Sequence, residues 1–228
     1  MPGPSPGAAD LTRRLRLGDQ GERTRREMER PLYRHGLILP CLLALGLLLL
    51  TAGTASAATS LPSGFSAGMA GPMLTYVHLL GLLGLGLWLD MQGRGSPGTG
   101  AALALAAGLL FAFLWRMGVH LPYVALALEG SLVLFGGLLA FTVSMPVALG
   151  LVLAAIAGAV HGISLSQWGG TPTNALLFWP GMVVGCLLIL SAGVGLSATL
   201  YQFGGGMASR LIGAIIAIVG ILMLVNVI

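Results

Sequence analysis

The sequence predicts an all-α, polytopic transmembrane helix bundle of six spans behind an N-terminal signal or anchor helix. Three observations carry that reading. Of 228 residues, 56% are hydrophobic and only 8% charged, with a mean hydropathy of +0.94, whereas soluble domains carry about 25% charged residues. The charges are also confined: of 11 arginines and 7 acidic residues, thirteen lie between Asp10 and Arg34. A soluble fold cannot cover its surface with what remains. Finally, the rest of the chain divides into apolar runs near the roughly 20 residues a helix needs to cross the hydrocarbon layer. Backbone groups in lipid must be bonded within their own segment, so these runs are helices and not the short alternating strands of a barrel.

Residues 1–36 form a polar, Pro-, Gly- and Arg-rich extension. Residues 37–57 follow as an apolar core ending in Ala55-Ser56-Ala57. A basic region, an apolar core and an A-x-A end are the parts of a secretory signal, and retention as a signal anchor fits the long basic region equally. Thr12-Arg13-Arg14-Leu15 is similar to a twin-arginine signal but lies too far upstream of the apolar core. The membrane domain, 58–228, then contains spans expected near 64–89, 99–117, 121–143, 146–166, 174–201 and 208–227. They are separated by breaks at Gly93-Arg94-Gly95-Ser96-Pro97, Leu121-Pro122, Met145-Pro146, Gly169-Gly170-Thr171-Pro172 and Gly204-Gly205-Gly206.

With the N-terminal arginines inside, Arg94 and Arg210 fall in cytoplasmic loops and Arg116 outside. That leaves both ends of the six-span domain external. The basic pI of about 9.7 therefore reads as membrane anchoring, and no nucleic-acid partner is expected; the lipid bilayer is. Cys41 and Cys186 both sit in apolar segments and offer no disulfide framework or CxxC site. The 36 glycines include the small-xxx-small pairs Gly158/Gly162 and Gly181/Gly185, which let helices approach closely.

Ionisable side chains at bilayer depth are costly and so are candidates for function. Three qualify: His78, Glu129 and His161. Asp90, Arg116 and His120 lie at span ends, within reach of water or headgroups. Helical spacing puts Gly71, Thr75 and Gly81 on the face of His78, and Gly158 and Ser164 one turn to either side of His161. Two imidazoles and a carboxylate from three helices suit a borderline-soft divalent metal such as nickel, cobalt or zinc. They suit a buried polar clasp between helices equally well. The ten methionines form no M-x-M or M-x-x-M cluster and read as packing. Gly195-Leu196-Ser197-Ala198 is similar to the G-x-S-[GA] of rhomboid-type proteases, but no histidine follows Ser197. With no H-E-x-x-H, P-loop or haem motif either, no enzyme is expected.

Four segments together resemble the HupE/UreJ family of membrane proteins over roughly residues 60–228: AGMAGPMLTYVHLLGLLGLGLW (67–88), LPYVALALEGSLVLFGGLLA (121–140), AVHGISLS (159–166) and the closing GVGLSATL and SRLIGAIIAIVGILMLVN. The signal peptide is also shared. In the family's first-span pattern, H-P-x-x-G-x-D-H, His78 and Pro72 are retained, while Gly71 and Val77 replace the first His and the Asp. Opposite F-H-G-H-A-H-G, His161-Gly162 remain, and Ile163 and Leu165 stand where further histidines would. Ala125 occupies the position of the family's Glu, with Glu129 one turn along; Leu190 occupies that of a fifth-span His.

The resemblance implies a permease for a divalent transition metal, nickel or cobalt, in the bacterial inner membrane. His78 and His161 would be ligands and Glu129 a charge-balancing or proton-coupled carboxylate. It implies no permanently bound cofactor, only transported Ni²⁺ or Co²⁺. The alternative is a non-transporting structural or accessory subunit, with membrane-protein partners or further copies of the chain around it.

Overall fold

The computed structural model describes residues 64–93, 97–167, 175–204 and 206–226, and all the regular structure among them is helical. The arginine-rich extension, the signal or anchor segment, Cys41 and Arg94 lie outside the described residues. Seven helices follow in order: α1 (Phe65–Leu74), α2 (Tyr76–Met91), α3 (Pro97–Arg116), α4 (Val124–Ala140), α5 (Val147–Gln167), α6 (Ala175–Gly204) and α7 (Gly206–Leu224).

Four of these, α3, α5, α6 and α7, are each long and apolar enough to cross a bilayer, and α1 with α2 makes a fifth crossing if the pair counts as one broken span. The first expected span is thus two helices, bent by 78°. At the break Thr75 takes an extended conformation (φ −100°, ψ 106°), while Pro72, three residues earlier, is accommodated within α1. The Thr75 hydroxyl donates to the Gly71 carbonyl at 3.0 Å, satisfying an oxygen exposed by the interruption. The third expected span, 121–143, is also shorter than expected: α4 has 17 residues, at the short end of the crossing range of about 17–25 residues, so four spans and the bent fifth are clear and a sixth through α4 is not established by length.

The ends of α3 and α4 are closed in the same way. Each closes in a left-handed residue, Gly118 (φ 96°) and Thr142 (φ 52°). The next amide then reaches back five residues, Val119 N–H to the Leu114 carbonyl and Val143 N–H to the Leu138 carbonyl. This is the Schellman arrangement, which consumes the last carbonyls and stops the helix.

Packing is set by missing side chains. A Cβ at Gly158 would overlap the Ala104 carbonyl, and one at Gly162 the Gly108 carbonyl, so α3 and α5 run side by side in the same direction. In the same way Gly181 and Gly185 seat α6 against Phe65, Met69 and Pro72 of α1, and Gly136, Gly213 and Gly220 bring α4 and α7 together in opposite directions. Both small-xxx-small pairs of the sequence therefore lie at helix contacts.

Helix α2 runs through the centre, with Leu85, Leu87 and Trp88 fully buried. Trp88 packs on Phe135 of α4 at 5.7 Å between ring centroids, and its Nε1–H donates to the Val143 carbonyl at 3.1 Å. One turn on, the Gln92 side-chain oxygen accepts from the Met145 amide at 3.0 Å. The end of α2 thereby holds the α4–α5 connection. Arg210 at the start of α7 reaches the same end, donating to the Ala140 carbonyl at 3.2 Å, where a cation also suits the negative end of the α4 dipole.

Gly162→Val is expected to lower the thermal unfolding midpoint, at a cost on the order of 1–3 kcal/mol from overpacking. Gly130→Ala, which faces open space, should leave it unchanged. Unfolding of both variants in detergent, followed by circular dichroism, checks the contrast.

Candidate functional site: a buried histidine pair

His78 is the third residue of α2, just beyond the Thr75 break, and His161 lies in the last third of α5. Both are buried, at 1% and 2% exposure. Their Nδ1 atoms are 2.9 Å apart, and the rings are tilted by 60° with centroids 5.0 Å apart. A pair 83 residues apart in sequence is thus joined by a direct hydrogen bond, one ring donating and the other accepting.

Two residues make this meeting feasible. A Cβ at Gly81 would fall 2.7 Å from Cε1 and 2.8 Å from Nε2 of His161, so the His161 ring occupies the space a side chain on α2 would take. On the other side stands Ser131, the one hydroxyl of α4, 7% exposed. Its Oγ is 3.3 Å from His161 Nε2 and donates to the Leu128 carbonyl at 2.6 Å. Burying a polar ring without a partner is expensive; here each histidine is bonded to another side chain.

Glu129 does not join them. Among the described residues no three of His, Cys, Asp and Glu come close enough to hold one metal ion, so the expected convergence of His78, His161 and Glu129 reduces to the two histidines. The reason is angular. Residues two apart on a helix are about 200° apart around its axis, so an α4 that turns Ser131 toward His161 turns Glu129 elsewhere, to a half-buried position. Ser131 is the member that sequence reasoning missed. A lone hydroxyl in an apolar helix was its only signal, and such residues usually bond their own backbone.

The remaining candidates lie apart from this cluster. Arg116 and His120 are exposed at the α3 end, with His120 stacked edge-on against Trp115 at 4.5 Å. Asp90 is half-buried near the end of α2. Ser197 is fully buried and its Oγ finds no hydrogen-bond partner among the described residues, so no base is poised on it. Cys186, the one cysteine among the described residues, is buried. It lines a small, apolar-walled cavity between α2, α3, α5 and α6, which also touches His161 and Met182.

Comparison with known proteins agrees with this architecture. A family profile described as HupE / UreJ protein matches residues 42–223. Protein HupE of Rhizobium leguminosarum bv. viciae is 26% identical over 171 residues, covering 72% of this chain and 85% of its own length. No solved structure matches. With the profile spanning most of the chain and several helices long and apolar enough to cross a bilayer, the protein belongs to the HupE/UreJ family and is a multi-pass membrane protein.

Proposed function

We propose that the chain is a HupE/UreJ-type permease for a divalent transition metal, nickel or cobalt, in the bacterial inner membrane, and that His78 and His161 form the station through which the ion passes. The observation that carries this reading is the 2.9 Å separation of two buried Nδ1 atoms. Imidazole nitrogens bind such metals at about 2.0–2.1 Å, and two of them at right angles on one ion stand about 3 Å apart. An ion fits this spacing once the shared hydrogen has moved to the donating ring's own Nε2 and both rings have turned their Nδ1 lone pairs onto it.

The neighbourhood supports the same reading. The pair lies just past the Thr75 break, and discontinuous helices beside a polar station are a recurring feature of secondary transporters. Glu129, too far away to be a third ligand of the pair, serves as a charge-balancing or proton-coupled carboxylate along the path. No P-loop is present in the sequence, so the driving force is a gradient or a partner. We also infer six crossings, α4 included. The same-direction pairing of α3 with α5 and the opposed pairing of α4 with α7 suit strict alternation across the bilayer.

One observation favours a second reading, a non-transporting accessory subunit of a larger membrane complex. No third His, Cys, Asp or Glu joins the pair among the described residues, and a divalent ion leaves water only when several groups replace its hydration shell. In that reading the histidines are a clasp between α2 and α5.

Radiolabelled nickel and cobalt uptake separates the two, measured in cells lacking their own transporters and at matched membrane abundance. His78→Ala and His161→Ala should each abolish uptake while leaving the protein inserted; wild-type uptake no better than empty cells would sink the permease reading. Gly81→Ala, which drives a methyl group into the His161 ring, should lower uptake by at least about tenfold, the usual effect of displacing a metal ligand's support.

A further inference from the structure

We propose that Ser131 is a positioning residue that selects the tautomer of His161, leaving its Nδ1 as a bare lone pair turned toward His78 and, on the permease reading above, toward the transported cation.

The assignment follows from counting protons. The Ser131 hydroxyl has a single proton, and the 2.6 Å contact with the Leu128 carbonyl is a hydrogen bond only if that proton lies in it. The Ser131 oxygen then has lone pairs alone to offer His161 Nε2 at 3.3 Å, so Nε2 carries the hydrogen and donates. A neutral imidazole holds one N–H, which leaves Nδ1 of His161 as an acceptor. The 2.9 Å contact between the two Nδ1 atoms is satisfied when His78 donates from its own Nδ1. Every polar contact in the cluster is met by this arrangement. Reversing it would set the Ser131 oxygen against the Leu128 carbonyl oxygen, or two imidazole N–H groups against each other.

Without Ser131 the choice disappears. The contact between the two Nδ1 atoms is chemically symmetric, and either ring could donate. Gly81 sets where the His161 ring lies, but a missing side chain cannot tell one nitrogen from the other. Ser131 is therefore the element that breaks the symmetry. The consequence is chemical: a cation binds a lone pair, and His161 Nδ1, kept bare by the bond at the far side of its ring, offers one at once, whereas His78 must first move its Nδ1 hydrogen to its own Nε2. Orientation of a ligating histidine through its other nitrogen is the usual role of such a neighbour.

Nitrogen-15 NMR of full-length, histidine-labelled protein in lipid nanodiscs reads the tautomer directly, since protonated and bare ring nitrogens resonate far apart. His78→Gln and His161→Gln assign the signals. The wild type should show His161 protonated at Nε2 and His78 at Nδ1. Ser131→Ala should give a mixture of tautomers at His161, and Ser131→Thr, which keeps the hydroxyl, should restore the single form. Nickel uptake by Ser131→Ala should fall about tenfold or more and recover in Ser131→Thr. A wild-type His161 protonated at Nδ1, or a Ser131→Ala spectrum unchanged from wild type, overturns the proposal whatever the uptake. If the tautomer shifts as expected in a protein whose wild type moves no metal, the permease reading fails and the positioning role stands.

Discussion

A histidine ring enclosed by apolar helices has no water to bond, so it must find its partners within the protein or remain a large unfavourable term. In this bundle α2 and α5 meet that requirement for each other through His78 and His161, and α4 contributes Ser131 to the same chain of contacts. Three helices are thereby committed to one relative placement. A shift of α5 along its axis by a single residue, about 1.5 Å, would break the bond between the two rings. The other contacts of the central bundle work to prevent such a shift.

They do so with two kinds of device. The first is the absence of side chains: Gly158 and Gly162 let α5 lie against the α3 backbone, and Gly81 makes room for the His161 ring itself. Lipid supplies no hydrophobic drive for helices to associate, so close backbone approach and shape are what hold them. The second is a clasp at one end, where Trp88 and Gln92 bond the connection between α4 and α5 and Arg210 bonds the end of α4. Ser131 lies nine residues from Ala140, about 14 Å of helix rise. The polar cluster is therefore removed from the clasped end and close to the break at Thr75. One end of the bundle is tied, and the other holds an interrupted helix beside two histidines.

The donor set also bears on chemistry. Two imidazoles suit a borderline-soft ion, and a third strong donor is missing from the cluster among the described residues. Ile163, Leu165 and Leu190, which stand where the sequence resemblance implies further histidines, are all buried in packing. On the permease reading proposed above, a site reduced in this way would hold an ion weakly and release it readily. The same reduction fits a clasp, and uptake distinguishes the two.

Composition and periodicity by themselves determined that this is a helical membrane protein and that Gly158/Gly162 and Gly181/Gly185 mark helix contacts, and they singled out His78, Glu129 and His161 as candidates. Each of these follows from a strong local cost: charge in lipid, a bare backbone between helices, an ionisable ring in an apolar run. The tertiary structure decided the rest. It broke the first span at Thr75, because where an apolar run bends depends on what the neighbouring helices accept. It joined the histidines and left Glu129 out, because the register and rotation of three helices must agree to within a fraction of a turn. It also brought in Ser131, whose hydroxyl is a backbone-bonding residue like many others until a second helix places an imidazole beside it. Spacing along one helix gives angles about that helix only; which face meets which is set by the packing of all of them together.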